Sequence, residues 1–169
     1  SESTDKDIIM YNVPARTSVN MNADTCLRLA ELKNIIATKE ASSNYSQISE
    51  IIRNAPEDFF VLSGNDDETL SLCVTGAKGV ISVASNLAPK ELSDYMNLIL
   101  KNDFENASKE HQRLMPLFHN CFTESNPIPV KAGFAFMGLI ENMLRPPLYP
   151  CTRKTFDIMA GTLQNLNIK

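Results

Sequence analysis

Lys39 follows the run Ile35-Ile36-Ala37-Thr38, made of apolar and small residues, and among the lysines of this 169-residue chain it is the best nucleophile candidate. A lysine that points into a dry pocket loses stabilisation of its charge, and only the neutral amine attacks a carbonyl to form an imine. The competing reading is a side chain that leaves the strand and reaches solvent. Lys78 sits in a Gly-Ala-Lys-Gly turn, and Lys6, Lys33, Lys90, Lys101, Lys109, Lys154 and Lys169 lie in polar or terminal surroundings. Tyr11 ends the equivalent apolar run one unit earlier, where a phenol near an imine-forming lysine relays protons. A half-buried aromatic at a strand end explains it equally well. Arg16 follows on the next loop, where its guanidinium suits a bidentate grip on a carboxylate; a plain surface arginine is the simpler reading.

Four short apolar runs must position these groups: Ile8 to Tyr11, Ile35 to Lys39, Phe59 to Leu62 and Gly79 to Val83. They are continuous rather than alternating, which predicts parallel strands buried on both faces. Helical spacing follows each of the first three, over Ala23 to Leu32 with Asn22 as cap, Tyr45 to Arg53, and Asp67 to Cys73. The remainder reads as helices. Pro89 to Leu100 carries proline in its first turn. Phe104 to Phe122 contains Pro116, which predicts a kink or a break. Pro127 to Leu139 is apolar on nearly all sides, and Thr152 to Leu166 opens on Thr152 as a cap. The fold class is α/β, built from four β/α units followed by helices. Polar residues gather at the carboxyl ends of the runs: Tyr11-Asn12, Lys39-Glu40, Ser63-Gly64-Asn65 and Ala84-Ser85-Asn86. A barrel and an open parallel sheet both place ligands there, and periodicity does not separate them.

Other chemistry finds less footing. Cys26, Cys73, Cys121 and Cys151 match no zinc or redox spacing, and they read as reduced structural thiols. That suits the cytoplasm or an organelle with a reducing interior. His111 and His119 have no ligand set around them, so no metal is expected. The acidic stretch Gly64-Asn65-Asp66-Asp67-Glu68 reads as helix-capping residues favoured by the dipole rather than a cation site. Gly76-Ala77-Lys78-Gly79 lacks the phosphate-loop pattern and reads as a tight turn. The net charge of −4, with no basic stretch, leaves nucleic acid or an anionic membrane without electrostatic support. No apolar run approaches the roughly 18 residues of a membrane span.

Several of these segments together resemble the dihydrodipicolinate synthase family, within the wider group of N-acetylneuraminate lyases and class I aldolases. The segments are Tyr11-Asn12-Val13-Pro14-Ala15-Arg16-Thr17, Ile35 to Ser42 around Lys39, Ser63-Gly64-Asn65-Asp66, Gly76 to Ser82, and Ser125-Asn126-Pro127-Ile128-Pro129-Val130-Lys131. The resemblance runs from about Ile8 to Pro150. It implies an eight-stranded TIM barrel, (β/α)8, with C-terminal helices, assembled as a homotetramer. It implies condensation of pyruvate with L-aspartate 4-semialdehyde to 4-hydroxy-tetrahydrodipicolinate, in the diaminopimelate route to lysine. By the same resemblance Lys39 forms the imine with pyruvate and Tyr11 passes protons. Arg16 holds the carboxylate of the second substrate, and Gly64 and Ile81 line the pocket, the Ile81 carbonyl facing the substrate. No metal or organic cofactor is implied. Ala15, Ser18 and Ala37 stand where glycine is usual in the family and remove no catalytic group.

Only four of eight strands have a match, so the chain reads as the second half of such a barrel. Residues 1–88 would supply strands five to eight, and residues 89–169 the last barrel helix and the C-terminal helical region. The first-half segment that binds the pyruvate carboxylate has no match. The expected partner is therefore the missing N-terminal half of the same barrel, and the fragment alone is expected to be inactive and poorly soluble. Two other readings remain: a sialic-acid or sugar-acid lyase of the same group, and a non-catalytic half-barrel that serves in assembly. Arg16 together with Lys39-Glu40-Ala41 favours the synthase, because the sialic-acid lyases generally lack that arginine.

Overall fold

A computed structural model of the chain describes residues 1–168. The chain divides into two compact units, one ending at Ser82 and the other beginning at Val83.

In the first unit, β1 (Ile8–Asn12), β2 (Ile35–Glu40) and β3 (Phe60–Ser63) form a parallel sheet in sequential order. The helices between and after them are α2 (Ala23–Ala30), α3 (Tyr45–Asn54) and α4 (Thr69–Thr75). Their residues Ala23, Cys26, Ala30, Ile48, Ile51 and Leu72 pack with Ile35 and Val61 of the sheet into one apolar cluster. The Asn22 side chain caps α2 by accepting from the Thr25 N–H, and Asn44 caps α3 through the Gln47 N–H. A single turn, α1 (Pro14–Thr17), follows β1; it has no hydrophobic period to announce it in the sequence.

The fourth run does not form a full strand. It joins the sheet through one parallel bridge, Ser63 to Val80. Three backbone hydrogen bonds support it: Lys78 N–H to Val61 O (2.8 Å), Ser63 N–H to Gly79 O (2.8 Å) and Ile81 N–H to Ser63 O (2.9 Å). The run is short because it is squeezed between two turns. Before it, Gly76, at φ 130°, closes α4 in a conformation that favours glycine. After it, a 3-10 turn begins at Ala84.

The expectation of strands buried on both faces also fails in part. Ile9 is 46% exposed, Tyr11 51% and Phe60 42%, while Met10, Thr38 and Val61 on the alternate rows are half-buried or buried. One face packs on the helices, and the other presents apolar side chains without such cover. The acids Asp66, Asp67 and Glu68 form a 3-10 turn ahead of α4 rather than its first turn.

The second unit contains α5 (Pro89–Leu100), α6 (Phe104–Asn120), α7 (Ile128–Phe136) and α8 (Arg153–Asn165). Of the kink or break expected at Pro116, the break does not occur, since α6 runs through it as one helix. Pro116 itself is exposed, and the buried face of Ala107, Leu114, Leu117 and Phe118 holds the helix together by tertiary packing. Thr152 caps α8 by accepting from the Thr155 N–H (3.3 Å). Among the described residues, no helix is long and apolar enough to cross a membrane.

Candidate active site

The parallel register aligns Tyr11 of β1 with Lys39 of β2 and Lys39 with Leu62 of β3. Residues in one register row of a parallel sheet project to the same side, so Tyr11 and Lys39 emerge together on the face away from the helices. The Lys39 Nζ lies 4.1 Å from the centre of the Tyr11 ring. An ammonium over a phenol face is attracted by the ring quadrupole, and this contact holds the amine at the carboxyl end of the sheet.

Gly64 stands directly behind the lysine. A Cβ built on it would lie 2.8 Å from the Ala41 Cβ, 2.9 Å from the Glu40 carbonyl oxygen and 3.1 Å from the Lys39 Cε. Only the absent side chain leaves room for the lysine stem, and the Gly64 N–H donates to the Glu40 carbonyl at 2.7 Å. Ile81 follows the Val80 bridge at the same end of the sheet and is 38% exposed, its N–H committed to Ser63. Arg16 sits on α1, exposed, and makes no ion pair among the described residues. The structure thus sets Lys39 against both Tyr11 and Gly64. Ile81 stands at the same sheet end, and Arg16 on the turn that leaves β1.

Sequence reasoning treated Glu40 only as the residue after the lysine. It is fully buried, on the opposite side of β2 from Lys39. Its carboxylate accepts from Asn12 Nδ2 (3.1 and 3.2 Å) and from Ser42 Oγ (2.8 Å). Burial pushes this carboxyl above its ordinary value, against the pull of the Ser42 and Asn12 hydrogen bonds. Asn12 also donates to Asn20 Oδ1 (2.9 Å) and accepts from the Met21 N–H (3.0 Å). Asn20 in turn donates to Gln47 Oε1 of α3 (2.8 Å). The period-2 rule offers one signal, turning residues 12 and 40 away from Tyr11 and Lys39, but it does not pair them.

Cys26 is buried in the same region, and burial together with the Glu40 charge pushes its thiol up to about 11. No group of three or more His, Cys, Asp or Glu among the described residues could hold a metal ion.

The model of the "Dihydrodipicolinate synthetase family" matches residues 1–166. A curated 4-hydroxy-tetrahydrodipicolinate synthase of Phocaeicola vulgatus is 49% identical over 170 residues, covering 100% of this chain and 57% of that protein. The crystal structure of dihydrodipicolinate synthase from Thermotoga maritima matches with a TM-score of 0.95 at 42% identity, over 98% of this chain and 58% of the other. A dihydrodipicolinate synthase of Acinetobacter baumannii, solved in complex with pyruvate, matches with a TM-score of 0.94 at 34% identity, over 99% and 58%. The chain therefore spans a little over half the length of these relatives.

Proposed function

Because the chain belongs to the dihydrodipicolinate synthetase family, we propose that it carries the imine-forming half of a 4-hydroxy-tetrahydrodipicolinate synthase. The reaction is the condensation of pyruvate with L-aspartate 4-semialdehyde, on the diaminopimelate route to lysine in the cytoplasm. The observation that carries the reading is the Tyr11–Lys39 contact at the carboxyl end of a parallel sheet, with Gly64 closing the space behind the amine.

In this reading the neutral Lys39 amine adds to the pyruvate keto carbon, and loss of water leaves the imine. Tyr11, in contact with the amine, donates a proton to the departing hydroxyl and takes one up as the chain of steps proceeds. The imine, protonated on nitrogen, loses a methyl proton to give the neutral enamine, whose carbon attacks the aldehyde of the second substrate. The amino group of that substrate then displaces Lys39 from the imine carbon and closes the ring. Arg16 holds the second substrate's carboxylate with its forked donors. Gly64 and the Ile81 carbonyl border the pocket. The lysine supplies the covalent chemistry, so the reading calls for no cofactor.

The sequential strand order and the single helix-covered face support strands five to eight of a (β/α)8 barrel, with residues 1–88 as the barrel part and 89–169 as the last barrel helix and helical extension. A barrel interior would cover the apolar row of Ile9, Tyr11 and Phe60. The other half of the barrel is then the partner that completes the site, and the assembled enzyme is a homotetramer. The test is Arg16→Ala in the full-length protein. Turnover with aspartate semialdehyde should collapse while pyruvate imine formation persists. An unchanged rate with aspartate semialdehyde would favour a lyase of the same group.

A further inference from the structure

Glu40 is a buried carboxyl that no step above uses. It is 0% exposed, and none of the ion pairs among the described residues involves it. Burying a carboxylate without a cation is costly unless hydrogen bonds take up its oxygens. Asn12 and Ser42 do so here. The placement of these partners is informative. Asn12 follows Tyr11 on β1, Glu40 follows Lys39 on β2, and the two are register partners in the row next to the Tyr11–Lys39 pair. The backbone repeats the link, with the Ala41 N–H donating to the Asn12 carbonyl at 2.9 Å.

Through Asn12, the same cluster also reaches the loop that follows Arg16. The Asn12 amide has two N–H groups, and it directs them at Glu40 and at Asn20, with the Met21 carbonyl also near at 3.3 Å. Gln47 at the start of α3 donates to that Met21 carbonyl at 3.2 Å. A polar cluster built around the buried Asn12, Glu40 and Gln47 therefore fastens three things together: the carboxyl end of β1, the carboxyl end of β2, and the chain leaving the Arg16 turn. A polar cluster with every member satisfied specifies one arrangement, because any slip leaves a buried group unpaired.

We infer that Glu40 is a positioning residue for the imine-forming site: gripped by Asn12 and Ser42, its carboxyl locks β1 and β2 in the register that sets Tyr11 against Lys39, and steadies the turn that carries Arg16. The inference rests on the proposed function above. It assigns Glu40 no contact with substrate; the effect passes through the strand ends.

The experiment uses the full-length protein with Glu40→Gln, an isostere that turns one acceptor oxygen into a donor, and Ser42→Ala, which removes one of the carboxyl's donors. Imine formation is followed by rapid trapping with pyruvate and borohydride, and turnover is measured in folded protein verified by circular dichroism. A misplacement of reacting groups lowers the rate of the chemical step, so Glu40→Gln should slow imine formation and kcat by about ten- to a hundredfold with KM for pyruvate nearly unchanged. Ser42→Ala should show the same pattern with a smaller loss. Trapping and kcat at the wild-type level in folded Glu40→Gln, even with a lowered Tm, would overturn the inference and leave Glu40 a stability residue. If Glu40→Gln does not fold, Ser42→Ala decides: the kcat-only loss supports the role, and a wild-type kcat rejects it. Failure of the wild-type protein to trap pyruvate at all would instead reject the proposed function.

Discussion

Gly64→Ala puts the closest approach in the site under direct test. The new methyl carbon would stand 2.8 Å from the Ala41 Cβ and 2.9 Å from the Glu40 carbonyl oxygen. Ordinary carbon contacts lie at about 3.5–4.0 Å, so the ends of β2 and β3 must separate by several tenths of an ångström or more. Neither neighbour is the free end of a flexible side chain, so the strain cannot be relieved by a rotamer change. Overpacking of this kind costs about 1–3 kcal/mol. The Gly64 N–H bond to the Glu40 carbonyl, at 2.7 Å, is stretched by the same movement. The Lys39 Cε, 3.1 Å from the new atom, is displaced as well. A shift approaching 1 Å at a reacting group lowers the rate by about a hundredfold. Urea unfolding of the full-length protein gives the stability change, and pyruvate–borohydride trapping gives the rate change. An alanine variant with wild-type stability and wild-type trapping would show that the β2 and β3 ends are not packed as described, and would remove Gly64 from the site.

Gly161→Ala is the matched control: a Cβ there meets nothing within 4 Å in the interior of α8, so the variant should gain about 0.5–1 kcal/mol in urea unfolding, and a loss would contradict the open space. Thr152→Ala should cost about 1 kcal/mol by removing the α8 cap, and an unchanged unfolding midpoint would contradict that cap. Glu40→Gln should change the pH dependence of stability. Burial raises the folded-state value of Glu40 above its ordinary 4.5, so the folded wild type holds its proton more tightly than the unfolded chain. Wild-type stability is then greatest below the unfolded value and falls as pH rises through the raised folded one. The glutamine variant escapes that loss, so its stability relative to wild type should climb as pH rises above the ordinary carboxyl value of 4.5. A difference that stays flat as pH rises through and beyond 4.5 would refute the shift.

The β/α succession and the Tyr11–Lys39 pairing were legible because short apolar runs and helical spacing are local signals, and because equal positions at strand ends become neighbours in a parallel register. The helix caps at Asn22 and Thr152 were legible for the same local reason. No break follows at Pro116, because the packing of Leu114, Leu117 and Phe118 keeps α6 continuous, whereas the sequence shows only the missing N–H. The burial of Ile9 and Phe60 was overestimated because a continuous apolar run does not reveal what covers its second face. The fourth run shrank to a bridge because its length was set by turns at both ends. The Asn12–Glu40–Ser42 cluster stayed hidden because it is a long-range arrangement: its polar residues look solvent-facing until the register brings them together beneath the helices.

The proposed function requires Lys39 to form an imine with pyruvate. Full-length protein treated with pyruvate and borohydride, digested and mapped by mass spectrometry, tests it most directly. One reduced pyruvate adduct is expected, located on Lys39 and absent from Lys39→Arg. An adduct on another lysine, or no adduct in folded wild-type protein, would contradict it.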